Sequence, residues 1–125
     1  MAKAKVKQPN WQEIPDEHDY PAAASYLTLT MTPKQVAKLV KSLRKAEVSL
    51  FKAKDIFRAS GLSLLGVSNS HVEKDRKKIV KSTPLSPLLL VRDSKNGPVI
   101  IADGYHRLCA IYGVDEDAVI PCKIV

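Results

Sequence analysis

The clearest pattern along the chain is an apolar stripe with helical spacing after Thr32. Thr32 is suited to be an N-cap, Pro33 fits the first helical position, and Gln35 completes a capping box. The apolar stripe of this helix consists of Val36, Leu39, Val40 and Leu43. A second helix is predicted over about 53–60, because Gly61 is a typical C-terminal stop.

Two further helices are predicted from their first residues and their stops. Ser70 and Glu73 form another capping-box pattern, which predicts a basic helix that ends near Ser82. A short helix over about 106–112 is predicted to stop at Gly113.

Apolar runs bounded by turn residues predict β-strands. Strands are expected at about 26–30, 88–91, 98–102 and 119–125, with a short extended link at 48–51. The polar segment 93–97 is predicted to be the turn of a hairpin between the two middle strands. Pro121 places the last strand at or near a sheet edge, because proline cannot donate to a β-ladder.

Residues 1–25 carry three prolines and the polar cluster 16–19, and we expect them to be an extended arm that lays Trp11 and Tyr20 on the rest of the chain. The remaining residues, 26–125, are predicted to be one domain, an α/β (α+β) fold with a small mixed sheet and surrounding helices. At 125 residues and 45% hydrophobic content, the chain can bury such a core without a disulfide or a metal.

The cysteines and the length of the apolar runs indicate the compartment. Cys109 and Cys122 both lie in apolar segments and are too few for a secreted disulfide framework. Cys109 is expected to be a small core residue. No apolar run approaches the ~18–20 residues of a membrane span. A reducing cytoplasm is therefore the expected location, with no membrane partner.

The formal charge of +7 favours anionic partners such as nucleotides, nucleic acid or acidic proteins. The basic helix after Ser70 carries Lys74, Arg76, Lys77, Lys78 and Lys81. This helix is either a nucleic-acid face or a solvated surface, and the lack of interleaved aromatic residues favours the solvated surface.

A short acidic cluster, Asp16-Glu17-His18-Asp19, has the residue types of a metal site. Adjacent residues of an extended arm rarely point at one ion. We therefore expect a solvated loop here and predict no metal ligands.

The segment 103–107, Asp-Gly-Tyr-His-Arg, joins the end of a predicted strand to the start of a predicted helix. The first N–H groups of a helix lack intrahelical partners, and Gly104 lets the backbone turn tightly and a ligand approach closely. Arg107 adds a planar fork for phosphate oxygens, and His106 adds a donor or a titratable group. Together these features predict an anion site.

A purely structural interpretation of the same turn stays open. Asp103 is then an ordinary N-cap, and Arg107 pairs with Asp103 or Asp115. His106 is then a surface residue, and the turn binds no ligand.

The turn and the strands before it resemble the ParB/sulfiredoxin superfamily over roughly residues 71–125. The resemblance rests on the runs 85–91 and 100–110, which read Leu-Ser-Pro-Leu-Leu-Leu-Val and Ile-Ile-Ala-Asp-Gly-Tyr-His-Arg-Leu-Cys-Ala. The ParB N-terminal domain, often labelled ParB-like nuclease, has the pattern Gly-Glu-Arg-Arg-x-x-Ala. Of that pattern the chain keeps Gly104, Arg107 and Ala110.

Two other branches of the superfamily match the turn in different ways. Sulfiredoxins carry Gly-Cys-His-Arg, and Tyr105 stands where their catalytic cysteine would be, so sulfinic-acid repair is not expected. The free serine kinases carry Asp-Gly-His-His-Arg, which matches Asp103, Gly104, His106 and Arg107. The chain ends after the last predicted strand, so the helix-turn-helix of partition proteins and their sequence-specific DNA binding are not expected.

The resemblance implies a nucleotide triphosphate as ligand, ATP or CTP with Mg²⁺, or another phosphorylated small molecule. The implied phosphate-binding residues are Gly104, Tyr105, His106, Arg107, Lys52 and Arg58. Lys52 and Arg58, with Asp55, also have the spacing of a surface charge ladder, and both interpretations stay open. Asp103 and His106 are the implied catalytic residues of a phosphotransferase or NTPase, with Asp103 orienting a metal ion or the acceptor. The alternative function is a non-catalytic module that binds nucleic acid or a partner protein.

Overall fold

The computed structural model describes residues 8–66, 68–92 and 97–125. The helices are α1 (Asp19–Leu27), α2 (Pro33–Lys45), α3 (Ala53–Ser60), α4 (Ser70–Val80) and α5 (Tyr105–Val114). The strands are β1 (Val48–Lys52), β2 (Leu88–Arg92), β3 (Val99–Asp103) and β4 (Val119–Ile124). The turn predicted at 93–97 lies outside the described residues except for Gly97. Within the described ranges, no helix has the length and apolar character needed to cross a membrane.

The strands form one mixed sheet in the order β1-β4-β2-β3. β4 pairs antiparallel with β1 and parallel with β2, while β2 pairs antiparallel with β3. The predicted α+β fold with a small mixed sheet is therefore confirmed. Because β2 and β3 are antiparallel, the end of β3 at Asp103 lies beside Leu89, near the start of β2.

Helices cover both faces of the sheet, which explains why β2 is a continuous apolar run. Leu88 and Leu90 face a core built with α3, α4 and α5, whereas Leu89 and Val91 face a second core built with α1 and α2. All of these side chains are buried. Since burying one leucine side chain contributes about 1.5–3 kcal/mol, β2 anchors both helical layers to the sheet.

The N-terminal segment differs from the predicted extended arm, because it is helical from Asp19 onward. The buried apolar residues of α1 are Tyr20, Ala23 and Leu27. Pro21 is tolerated because it lies in the first helical turn, where the N–H groups have no helical partner. The strand predicted at 26–30 is also wrong, because 26–27 belong to α1 and 28–30 form a turn. Leu27 is buried, whereas Tyr26 and Leu29 are exposed.

Residues 10–12 pair with the segment that precedes β2. The Gln12 N–H donates to the Leu85 carbonyl at 2.8 Å, and the Leu85 N–H donates to the Asn10 carbonyl at 2.8 Å. Trp11 packs against one core and Tyr20 is buried in the other, as predicted. This attachment carries the N-terminal chain past the end of the sheet where β2 begins and β3 ends.

The prediction that the last strand lies at a sheet edge is wrong. β4 lies between β1 and β2, and its parallel ladder with β2 begins at Cys122, one residue after Pro121. The missing N–H of Pro121 therefore falls before that ladder starts. The extended link predicted at 48–51 is strand β1, which pairs with β4 along its whole length.

The helix boundaries follow the sequence signals in part. The predicted capping box is present at the start of α2, and Gly61 follows α3 with a left-handed φ of 68°. The cap of α4 is Asn69 rather than Ser70, because the Asn69 side chain accepts N–H bonds at the start of the helix. α5 continues through Gly113, which keeps a helical backbone there.

Candidate functional site

Gly104 makes the turn from β3 into α5 in a conformation that side chains rarely tolerate. Its φ is +108°, and a Cβ at this position would lie 2.7 Å from Cγ of Leu88. A backbone hydrogen bond of 2.9 Å runs from the Leu108 N–H to the Gly104 carbonyl. The N–H groups before Leu108 therefore have no carbonyl partner within the helix, and they point outward from its N-terminus.

The N-terminus of α5 opens into a cavity of about 380 Å³. The cavity is lined by the turn 103–107, by parts of 16–22, by one face of α4 and by residues 84–86. These parts converge for three reasons: β2 and β3 are antiparallel, residues 10–12 are attached to Leu85, and α4 packs on α5. The turn singled out in the sequence is thus one wall of a larger cavity.

Arg107 is held between two carboxylates. Its guanidinium donates to Asp103 at 2.6 Å and to Asp19 Oδ2 at 3.4 Å, and the side chain is only 13% exposed. Of the two partners considered from the sequence, Asp103 is the one that Arg107 contacts, whereas Asp115 accepts from the side chain of Gln8. Asp103 is not the N-cap of α5, because the capping position belongs to the glycine after it.

Two carboxyl groups of the cavity have raised pKa values. Burial raises the pKa of Asp103, the charge of Arg107 opposes this rise, and the neighbouring Asp19 adds to it. Burial also raises the pKa of Asp75 on α4, against the charges of Lys78 and Arg107. These groups hold a proton to higher pH than an exposed aspartate does, which is a common property of groups that exchange protons with ligands.

The segment 16–19 is solvated in part, as expected from the sequence, because Glu17 and His18 are exposed whereas Asp19 is buried. A turn precedes α1, in which the Asp19 N–H donates to the Asp16 carbonyl at 3.0 Å, and it gathers the side chains of Asp16, His18 and Asp19 on one side. His18 Nε2 lies 3.4 Å from Asp19 Oδ1 and 3.9 Å from Asp16 Oδ2. Glu17 points elsewhere and pairs with Arg44. An extended arm would have separated these side chains, whereas the turn brings them together.

Asp19 connects this acidic group to the glycine turn. It is 5% exposed, and its Oδ2 accepts hydrogen bonds from the Ser86 hydroxyl and from Arg107. The same hydroxyl accepts the Asp16 N–H at 3.0 Å. Ser86 and Arg107 thereby fix the N-terminal segment against the wall formed by the turn.

α4 contributes a histidine and an acid that the sequence interpretation did not single out. The rings of His71 and His106 lie 4.9 Å apart, with 39° between their planes. His106 is therefore packed in the cavity wall rather than isolated on the surface. Asp75 lies one helical turn after His71 on the same face, and this i, i+4 spacing was the available signal in the sequence.

The other site residues named from the sequence divide into two groups. Tyr105 lines the cavity, and its hydroxyl donates to the Ser63 carbonyl. Burial raises the pKa of this hydroxyl. Lys52 and Arg58 do not line the cavity; Arg58 is 83% exposed and pairs with Asp55 at 3.0 Å, as in a surface charge ladder.

Cys109, on α5, is buried in the hydrophobic core that α5 forms with α3, α4 and the sheet, as predicted. Burial raises the pKa of its thiol, and burial raises that of Cys122 to about 12. Both side chains therefore stay protonated at neutral pH, and neither has the character of a reactive thiolate.

Among the residues that the structure describes, carboxylates outnumber permanent cations in the cavity wall. The charged and titratable lining residues are Asp16, Asp19, Asp75 and Asp103, with Lys78 and Arg107, and with His18, His71 and His106. A bare anion is repelled by such a wall when the carboxylates are ionised. The cavity wall thus combines a helix N-terminus with several carboxylates. A phosphate accompanied by a divalent cation matches both, because the phosphate oxygens suit the helix N-terminus and the cation suits the carboxylates.

Comparisons of the chain with protein-family models, with curated proteins and with solved structures found no match. The resemblance to the ParB/sulfiredoxin superfamily therefore stays a prediction. The geometry of the cavity carries the functional inference.

Proposed function

We propose that the chain binds a nucleotide, or another phosphorylated small molecule, together with Mg²⁺ in the cavity at the N-terminus of α5. The supporting observation is that a free helix N-terminus, Arg107 and four carboxylates meet in one cavity. The helix N-terminus suits phosphate oxygens, and carboxylates suit a hard cation. A cavity of about 380 Å³ lies within the range of small-molecule sites.

In this proposal the phosphate groups accept hydrogen bonds from the backbone N–H groups of Tyr105 and His106. Arg107 exchanges one of its carboxylate partners for a phosphate oxygen, so its charge remains paired. The carboxylate that Arg107 releases is then free to contact the cation. The close pairing of Arg107 in the present structure is therefore compatible with a role in binding.

The same cavity supports phosphoryl transfer to a hydroxyl group or to water, which is the activity of a phosphotransferase or an NTPase. Asp103 lies directly before the glycine turn, and its raised pKa suits its carboxylate to accept the proton of the attacking hydroxyl. His106, in ring contact with His71, is a second group that can carry a proton at this position. When bound, Mg²⁺ offsets phosphate charge and orients the phosphates for in-line attack.

Calorimetric titration with ATP, CTP, GTP and UTP in the presence of Mg²⁺ tests the binding. The wild type is expected to bind at least one of them, and Arg107→Lys to bind it about tenfold more weakly, the effect of one lost charge-assisted hydrogen bond. Arg58→Ala is the matched control, because Arg58 lies outside the cavity and is expected to leave affinity unchanged. Absence of binding by the wild type to all four nucleotides at millimolar concentration contradicts the proposal.

Phosphate release from the bound nucleotide tests the catalytic part separately. Asp103→Asn removes the carboxylate that accepts the proton while keeping its shape, so release is expected to fall while circular dichroism stays unchanged. Equal phosphate release by Asp103→Asn and the wild type assigns no catalytic role to Asp103.

A second candidate function, binding of nucleic acid, is favoured by one side of α2. Its exposed lysines are Lys34, Lys38, Lys41 and Lys45. They recur at helical spacing, and none forms an ion pair with a described residue. On α4, by contrast, Arg76 and Lys78 pair with acids of their own helix.

Fluorescence anisotropy with a labelled duplex at increasing salt separates the two candidate functions. Binding through α2 is expected to weaken with salt and to be lost in a Lys38→Glu, Lys41→Glu double variant, because fewer phosphate charges are neutralised. Arg107→Lys leaves such binding unchanged. If the α2 double variant and the wild type bind the duplex equally, α2 is not a nucleic-acid face.

A further inference from the structure

Three donor atoms from the N-terminal segment converge at the rim of the cavity. His18 Nε2 lies 3.4 Å from Asp19 Oδ1 and 3.9 Å from Asp16 Oδ2, and all three atoms lie within 4.8 Å of one another. Ligand atoms about 2.1 Å from one ion are separated by roughly 3.0–3.5 Å, so a small inward movement closes the set around an ion. His18 is 81% exposed at its side chain and is free to make that movement.

Groups outside the cluster hold both carboxylates by their other oxygens. The Gln12 side chain donates to Asp16 Oδ1 at 3.0 Å. Ser86 and Arg107 donate to Asp19 Oδ2. Each carboxylate is thereby oriented with one oxygen toward His18, as carboxylates of metal sites are oriented by their outer hydrogen bonds.

The inner oxygen of Asp19 supplies an independent observation. Asp19 is 5% exposed, and among the described residues its Oδ1 is directed at His18, whereas Oδ2 accepts from Ser86 and Arg107. The only charge pair of this oxygen within those residues is with His18 Nε2. A charge this buried is costly unless it is compensated, and a cation between Oδ1 and His18 would compensate it.

We propose that Asp16, His18 and Asp19 bind one divalent cation of the first transition row. A set of one imidazole and two carboxylates suits Mn²⁺ or Zn²⁺ better than Mg²⁺ or Ca²⁺, which prefer oxygen ligands alone. This inference deepens the proposed function and rests on it for the phosphate that lies beside the cation. The same cavity holds the three ligand side chains and the N-terminus of α5. The cation takes the role of offsetting phosphate charge at that position.

Titration with Mn²⁺ alone, followed by electron paramagnetic resonance of the free ion, tests the site. The wild type is expected to bind one Mn²⁺, and Asp16→Asn and His18→Gln to bind it at least about tenfold more weakly. Asp19 is left intact because it is buried and its replacement disturbs the fold. Glu17→Gln is the matched control, since it removes the same charge from a neighbouring side chain that pairs with Arg44 instead.

The outcomes separate this inference from the proposed function. No Mn²⁺ binding by the wild type at millimolar concentration, or equal affinity in all the variants, overturns the cation site. If the wild type binds a nucleotide with Mg²⁺ but does not bind Mn²⁺ alone, the proposed function is supported and the cation site is overturned. Mn²⁺ binding without nucleotide binding supports the cation site and removes the proposed function.

Discussion

Arg107 on α5 and Asp19 at the start of α1 are 88 positions apart in the chain, and their side chains meet at 3.4 Å. The pair joins the N-terminal helix to the turn that leads from β3 into α5. Both side chains are nearly buried, so the contact compensates each charge where water reaches it poorly. The cavity is therefore complete only when the N-terminal segment has docked.

Replacement of Asp19 is expected to destabilise the protein. Asp19→Asn removes a charge from a buried pair, and because Arg107 keeps Asp103, we expect the free energy of unfolding to fall by about 2–3 kcal/mol. Urea denaturation followed by circular dichroism measures the change. Asp55→Asn, which breaks the exposed pair with Arg58, is the control and should change stability little. Equal effects of the two substitutions would show that the buried pair contributes no more than a surface pair.

Two glycines of the last helical region should respond oppositely to alanine. Gly104→Ala introduces a side chain at a φ of +108° and against Leu88, and should cost about 1–3 kcal/mol. Gly113→Ala lies within α5, where a Cβ meets nothing within 4 Å, and should add about 0.5–1 kcal/mol. Thermal unfolding of both variants against the wild type tests the pair. A Gly104→Ala variant as stable as the wild type contradicts the strained turn.

The cap of α4 can be assigned by a pair of alanine substitutions. Asn69→Ala removes the side chain that accepts the N–H groups of His71 and Val72, and should cost about 1 kcal/mol. Ser70→Ala lies in the first helical turn and should cost little, although the sequence alone favoured it as the cap. Chemical denaturation compares the two, and a larger loss for Ser70→Ala reverses the assignment.

The raised pKa of Asp75 gives a pH dependence with a definite sign. The folded protein holds the carboxyl proton of Asp75 more tightly than the unfolded chain does. Ionisation of Asp75 therefore lowers the free energy of unfolding as pH rises from the ordinary aspartate pKa, about 4, toward the raised pKa of the folded state. The free energy of unfolding of Asp75→Asn relative to wild type should therefore increase through that window. Denaturation curves at a series of pH values measure it.

Asp117 provides the control of opposite sign. Its hydrogen bond and ion pair with Lys54 lower its pKa, so its contribution to stability is present above the ordinary aspartate pKa and is lost as pH falls. The free energy of unfolding of Asp117→Asn relative to wild type should decrease as pH rises. Parallel pH profiles for the two variants would contradict the assigned shifts.

Features determined by neighbours in sequence could be predicted from the sequence. The capping box of Thr32 and Gln35 depends on contacts three residues apart, and it forms as expected. The apolar run of β2 required burial on both faces, and the glycine of the turn required a tight reversal before a helix. The position of one wall of the candidate site therefore followed from local pattern alone.

Only the tertiary structure decided which residues complete the site. Asp19 reaches the turn because the N-terminal segment docks there, and His71 reaches it because α4 packs on α5. Neither contact can be predicted from the residues next to it in the sequence. Lys52 and Arg58 have suitable charge but lie away from the cavity. The sequence by itself determined the capping box of α2 and the glycine turn before α5, because both depend on near neighbours. The alternating pattern at 26–30 and the capping pattern at Ser70 did not determine the structure there, since α1 runs to Leu27 and Asn69 caps α4. The choice of side chains that share the cavity depended on long-range packing, which no local pattern encodes.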